Sequence, residues 1–187
     1  ACPNQRFELQ IIKTTGDKLQ TASLTEAGAQ LPKGLFTKEL EVALLNGDAD
    51  LAVHSLKDLP TELPEGLMLG AVPEREDPRD VLICRENIRV LESIRDLPAG
   101  GIVATSSTRR QAQVSFLRPD LKLVAIRGNV GTKLEKLARN NEFDAIILAL
   151  AGLKRLGFQV VGDTLQGVHV PSGLRALILG TNEMLPC

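Results

Sequence analysis

Short aliphatic runs alternate with amphipathic helical stretches along this chain, and that alternation leaves it few folds to adopt. Ile102–Ala104, Leu123–Ile126 and Ala145–Leu150 predict buried strands, and each leads into a helical pattern, over Thr108–Leu117, Val130–Arg139 and Leu153–Leu156. Such alternation predicts an α/β fold with a mainly parallel sheet, because parallel neighbours need a crossover long enough to hold a helix. Phe7–Ile12, Leu51–Val53, Leu67–Val72 and Val81–Cys84 predict further strands, with Pro60 and Pro64 breaking the chain between the second and third of these. Leu35–Leu45 predicts a helix with Leu40, Ala43 and Leu44 on one face and Gly47 as its stop. Leu174–Leu179 fits helix or strand equally. The charged segment Glu74-Arg75-Glu76-Asp77-Pro78 is either a hinge between two lobes or a solvated loop.

Basic residues number 22 and acidic ones 23, so no overall field recruits nucleic acid or a membrane, and neither is expected as a partner. Trp and Tyr are absent and five Phe remain, which predicts an aliphatic core and argues against a base-stacking surface. Cys2, Cys84 and Cys187 are an odd, scattered set with neither a disulfide pattern nor metal-ligand spacing; no metal is expected, and a reducing cytoplasm is the simpler home. No apolar stretch is long enough to cross a bilayer. The chain starts at Ala1 and stops at Cys187, so both ends look cut, and a plastid becomes the alternative location if a transit peptide has been removed.

Four predicted strands run into turns rich in cationic or hydroxyl groups: His54-Ser55-Leu56-Lys57-Asp58, Thr105-Ser106-Ser107-Thr108-Arg109-Arg110, Arg127-Gly128-Asn129 and Ala151-Gly152-Leu153-Lys154-Arg155. Ligands of open α/β sheets settle outside the carboxyl ends of strands, where helix N-termini offer free N–H groups to anions. Arg109, Arg110 and Arg127 add planar forks for carboxylates. Four such turns at one edge predict a cleft for a polyanion. Taken singly, each has a plainer explanation: Ser106 or Ser107 as a helix N-cap, Gly128 as a tight turn, Lys154 and Arg155 as solvated charges, His54 as a structural histidine. Arg109 and Arg110 sit in the first turn of their helix, where the dipole disfavours cations, so an external anion is the better reason for them. Asp58, a lone acid among cations, is placed to stabilise a developing cation or shuttle a proton; the alternative is a surface pair with Lys57.

Six segments taken in order carry a resemblance: Lys33-Gly34-Leu35-Phe36-Thr37-Lys38-Glu39-Leu40, Ala52-Val53-His54-Ser55-Leu56-Lys57-Asp58-Leu59-Pro60, Arg75-Glu76-Asp77-Pro78-Arg79-Asp80, Thr105-Ser106-Ser107-Thr108-Arg109-Arg110, Arg127-Gly128-Asn129-Val130-Gly131-Thr132 and Leu148-Ala149-Leu150-Ala151-Gly152-Leu153-Lys154-Arg155-Leu156. Together they resemble the porphobilinogen deaminases (hydroxymethylbilane synthases). The resemblance implies two periplasmic-binding-protein-like lobes with mainly parallel sheets, joined by two hinge segments. The first lobe spans residues 1–75 and lacks its first strand, the second spans 76–183, and 184–187 begins a return crossover. A transferase of haem and tetrapyrrole synthesis is implied, monomeric and cytoplasmic, condensing four porphobilinogens head-to-tail into hydroxymethylbilane with release of ammonia. Its cofactor is a covalent dipyrromethane primer, held by a cysteine of a third domain that none of the three cysteines here matches.

Residue by residue, Asp58 matches the family's catalytic acid. Ser55, Lys57, Thr105, Ser107, Arg109, Arg110, Arg127 and Gly128 match positions that hold the primer's acetate and propionate arms. Arg155, Lys133 and Lys33 match positions facing the incoming substrate, Lys33 and Phe36 lying in a loop over the cleft. Lys133 stands where arginine is more usual, which weakens a bidentate grip. With the first strand and third domain missing, this polypeptide is expected to be an inactive piece of an active enzyme. A non-catalytic solute-binding module would share the fold and the anion cleft but give Asp58 no role. A phosphate-binding regulatory domain is a weaker alternative, since no P-loop pattern is present.

Overall fold

The structure is a computed structural model and describes residues 5–15, 34, 37–88, 91–139 and 142–186. The chain divides into two compact units, residues 1–73 and 74–187.

In the first unit, helix α1 (Lys38–Asn46) ends at Gly47, whose φ of 77° opens a left-handed turn. The Gly47 N–H donates to Leu44 O and the Asp48 N–H to Ala43 O, the paired bonds of a Schellman motif, so the predicted stop is where the helix ends. A 3-10 turn forms at Leu56–Asp58. Phe7–Ile12, Leu51–Val53 and Leu67–Val72 do not form strands. Among the described residues no strand lies beside them to complete a ladder, and their side chains stay in water: Leu9 is 95% and Val53 97% exposed. β-propensity without a partner strand does not make a sheet.

The second unit is built on one seven-stranded sheet in the order β3-β2-β4-β1-β7-β6-β5. Its strands are β1 (Asp80–Arg85), β2 (Ile102–Ala104), β3 (Lys122–Val124), β4 (Ala145–Ala149), β5 (Gln159–Val161), β6 (Thr164–Gln166) and β7 (Leu174–Ile178). Helices α2 (Thr108–Leu117), α3 (Val130–Arg139) and α4 (Leu150–Arg155) follow β2, β3 and β4. The fold is α/β, as expected, and Leu174–Leu179 resolves as strand. Strands β2, β3 and β4 form the parallel core. Followed across the sheet, β5 and β7 run in their sense as well, while β1 and β6 run against it. The β5–β6 hairpin, turning at Gly162-Asp163 with φ 60° at Gly162, is absent from the sequence expectation.

Alternation along the central strands divides the core into two layers. Val81, Ile83, Ile146 and Leu148 pack with Leu134 and Leu137 of α3 and Leu150 and Leu153 of α4. Leu82, Cys84, Ala145 and Ile147 pack on the opposite side with Val114 of α2, Ile94, Leu97 and Met184. From β2 the chain crosses to β3 and then returns past β2 to β4; right-handed crossovers in opposite directions place α2 and α3 on opposite faces. With both faces covered, β1 and β4 can be near-continuous apolar runs. Burial pushes the Cys84 thiol up to about 11, which marks it as core filling.

Candidate anion-binding edge

Because β2, β3 and β4 are parallel, the turns that follow Ala104, Val124 and Ala149 emerge at one edge of the sheet. Strand β1 is reversed, so its first residue reaches that same edge, with Asp80 opposite Ala149. From β2 the chain leaves to one side for β3 and then returns to β4 on the other, so the strand order reverses between β2 and β4, which is where a crevice opens in sheets of this kind.

The turn after β2 is held at several points. Thr105, 1% exposed, donates its N–H to Val124 O at 2.8 Å. Its hydroxyl accepts from Ser107 N, and its carbonyl accepts from the Gln111 amide. The Ser106 hydroxyl donates to Ile126 O at 2.8 Å and accepts from Ile126 N at 3.1 Å, joining this turn to the one after β3. Ser107 is the N-cap of α2, its hydroxyl accepting from Arg110 N. Ser106 is therefore the link between turns and Ser107 the cap.

Arg109 and Arg110 have a partner within the chain that the sequence reading did not foresee. Each guanidinium was expected to await an external anion, and each meets an internal one. Arg109 Nη2 donates to Asp80 Oδ2 at 2.8 Å and Arg110 Nη2 to Asp80 Oδ1 at 2.7 Å, with Asp80 1% exposed. Arg109 Nη1 donates to Leu185 O and Arg110 Nη1 to Ile147 O. The carboxylate beneath the first helical turn offsets the dipole that would otherwise disfavour two cations there. Arg110 Nε is buried without an acceptor.

Arg127 and Gly128 lie exposed in the turn after β3. Gly128 has φ 116°, and an added Cβ would come within 3.0 Å of Thr132 Cγ2, so both conformation and space call for glycine. Asn129 caps α3, accepting from Thr132 N and Oγ1. Lys136 Nζ donates to Arg127 O at 3.2 Å. Lys133, half-buried, has its pKa lowered, first by burial and then by the positive charges of Arg110 and Lys136. Arg110, Lys133 and Lys136 thus crowd like charge around one place. Lys154 pairs with Glu76 at 2.8 Å and is no free cation, while Arg155, at the end of α4, is exposed.

Ser55, Lys57 and Asp58 belong to the first unit. Ser55 leads into the 3-10 turn, whose backbone closes by Asp58 N–H to Ser55 O at 2.9 Å, and Ser55 and Asp58 are both exposed. Lys33 lies outside the described residues. Sequence reasoning missed Asp80 and Lys136. A signal for Asp80 was available: an acid heading an apolar strand run cannot be buried without cationic partners.

Among the described residues no group of His, Cys, Asp and Glu could hold a metal, and no helix is long and apolar enough to cross a membrane. The edge suits a polycarboxylate: it holds surplus positive charge and, on Arg110, a buried N–H donor that no protein group accepts.

Solved structures with some likeness are an ancestral cyclohexadienyl dehydratase (TM-score 0.39, 15% identity, 57% of this chain and 42% of that one) and an ancestral arginine-binding protein bound to arginine (TM-score 0.32, 23% identity, 57% and 49%). Residues 2–178 match the model of the porphobilinogen deaminase, dipyromethane cofactor binding domain. Porphobilinogen deaminase of Syntrophobacter fumaroxidans is 54% identical over 157 residues, 84% of this chain and 48% of that protein. That of Bacillus pumilus is 51% identical over 165 residues, 87% and 50%. That of Nitratidesulfovibrio vulgaris (strain Miyazaki F) is 53% identical over 184 residues, 98% and 51%. The chain spans about half the length of these relatives. A match across nearly the whole chain, with relatives above half identical, means that the chain belongs to the porphobilinogen deaminase family and carries its dipyrromethane cofactor binding domain.

Proposed function

We propose that the protein to which this chain belongs is a transferase that condenses four porphobilinogen molecules head-to-tail into hydroxymethylbilane, releasing ammonia, and that it works as a cytoplasmic monomer. The observation that carries this reading is the cationic edge of the second unit. Every pyrrole ring of the product brings an acetate and a propionate, so a growing chain needs many fixed cations, and Arg110, Lys133 and Lys136 gather there. In this reading residues 1–75 and 76–183 are the two lobes, with 184–187 leading back toward the first.

The primer, when bound, supplies the pyrrole end on which the chain is extended. Thr105, Ser107, Arg109, Arg110, Arg127 and Gly128, with Ser55 and Lys57 of the first unit, would hold its acidic arms; Arg155, Lys133 and Lys33 would receive the incoming substrate. Asp58 would accept a hydrogen bond from the pyrrole N–H and pass a proton to the departing amine, regaining one from the pyrrole carbon at which the new bond forms. Backbone closure of its 3-10 turn supports that role by fixing where the exposed carboxylate starts. The test is incubation of the full-length protein with porphobilinogen, then acid and oxidation to coloured porphyrin. Asp58→Ala is expected to abolish colour while melting like the parent; near-parental turnover would refute the assignment.

A further inference from the structure

We propose that Asp80 is a positioning residue for carboxylate recognition, setting Arg109 and Arg110 at the spacing at which they meet neighbouring acidic arms of the pyrrole chain. This rests on the function proposed above, in which the two arginines hold those arms.

The geometry divides one carboxylate between two guanidiniums. Each Asp80 oxygen takes one Nη2, and each arginine then fixes a second nitrogen on a backbone carbonyl, Leu185 O for Arg109 and Ile147 O for Arg110. Two anchors on a planar five-donor group leave it no freedom to turn, and the remaining N–H groups point where the anchors dictate. On Arg110 one of those is the buried, unaccepted Nε–H. Residues adjacent in α2 would otherwise diverge by about 100° around the helix; the shared carboxylate draws their heads together.

Stability alone is a poor explanation. Taking a carboxylate out of water is costly, and an apolar residue heading an already apolar strand would avoid that cost. Two cations on one anion also leave a net positive charge beside Lys133, so Asp80 orders the arginines without neutralising them.

The experiment uses the full-length protein stripped of primer and resupplied with porphobilinogen, with primer loading followed by the pyrrole–aldehyde colour reaction and folding by thermal melting. Asp80→Asn is expected to melt cooperatively and to load more slowly by up to about a hundredfold, the scale on which about an ångström of misplacement is felt. In an Arg109→Lys/Arg110→Lys background the same exchange should change the rate less than about twofold, because the groups it acts through are gone. Parental loading in Asp80→Asn with only a lowered melting temperature would reduce Asp80 to a structural role and overturn the proposal. So would an equal effect in both backgrounds. If Asp80→Asn yields too little folded protein, Asp80→Glu carries the test, since it keeps the charge and displaces it by one methylene: slow loading supports positioning and parental loading overturns it. Parental loading in the twin-lysine background would instead overturn the assignment of these arginines to carboxylates, and the inference with it.

Discussion

Replacing Ser106 with alanine tests how the site is assembled. The Ser106 hydroxyl both donates to and accepts from the backbone of Ile126, a residue 5% exposed, and so ties the turn after β2 to the turn after β3. Alanine removes both bonds and leaves an N–H and a C=O without their partner. A buried group so orphaned costs about 1–3 kcal/mol. Ser106 itself faces solvent, so water can reach one of the two positions, which puts the expected loss at about 2 kcal/mol. For a unit spanning residues 74–187 that is a fall of about 8 °C in Tm. Trp and Tyr are absent, so far-ultraviolet circular dichroism under urea is the suitable probe, with a lower midpoint at unchanged m. A loss below about 0.5 kcal/mol would refute the view that this hydroxyl fastens the two turns together.

Gly128→Ala should cost about 1–3 kcal/mol through its positive φ and its approach to Thr132; adding Thr132→Ser should recover only the part due to crowding, as thermal melts would reveal. Lys133→Met should raise stability while weakening retention of a polycarboxylate, because the ammonium is disfavoured by burial and by Arg110 and Lys136. The folded-state pKa of Lys133 lies below its unfolded value of 10.5, so the parent gains stability as pH rises toward 10.5 and the methionine variant loses that gain. The Arg79 fork holds Asp77 at about 2 against an ordinary 3.8; its contribution is present above about 4 and fades as pH falls through about 2, and Asp77→Asn should flatten an acid-unfolding curve across that window.

Local signals reached the second unit well and the first poorly. Helices α2 and α3 lie where the sequence placed them, because caps, Ser107 and Asn129, open both, and α3 buries Leu134 and Leu137 along one face. Strands β2 and β4 were legible as apolar runs that pack on both faces. The first unit's expected strands failed on pairing, which is a non-local property: Phe7–Ile12 has strand composition but no neighbour among the described residues. The β5–β6 hairpin was overlooked because its three-residue strands flank a two-residue loop too short for the alternation to stand out. At the site, the residue types in the turns after β2 and β3 were readable, and the reversal of β1 was not. Only that reversal brings Asp80 to the edge where the parallel strands end, and with it the internal anion that Arg109 and Arg110 share.

The claim that this sheet edge exists to hold acidic pyrrole arms is tested most directly by calorimetry on full-length protein stripped of primer, titrated with the free-acid dipyrrole and with the same dipyrrole esterified at every carboxyl. The account predicts heat and saturation for the acid, weakening as salt is raised, and none for the ester. Equal affinity for acid and ester, or binding of the acid that Arg110→Met leaves unchanged, would contradict it.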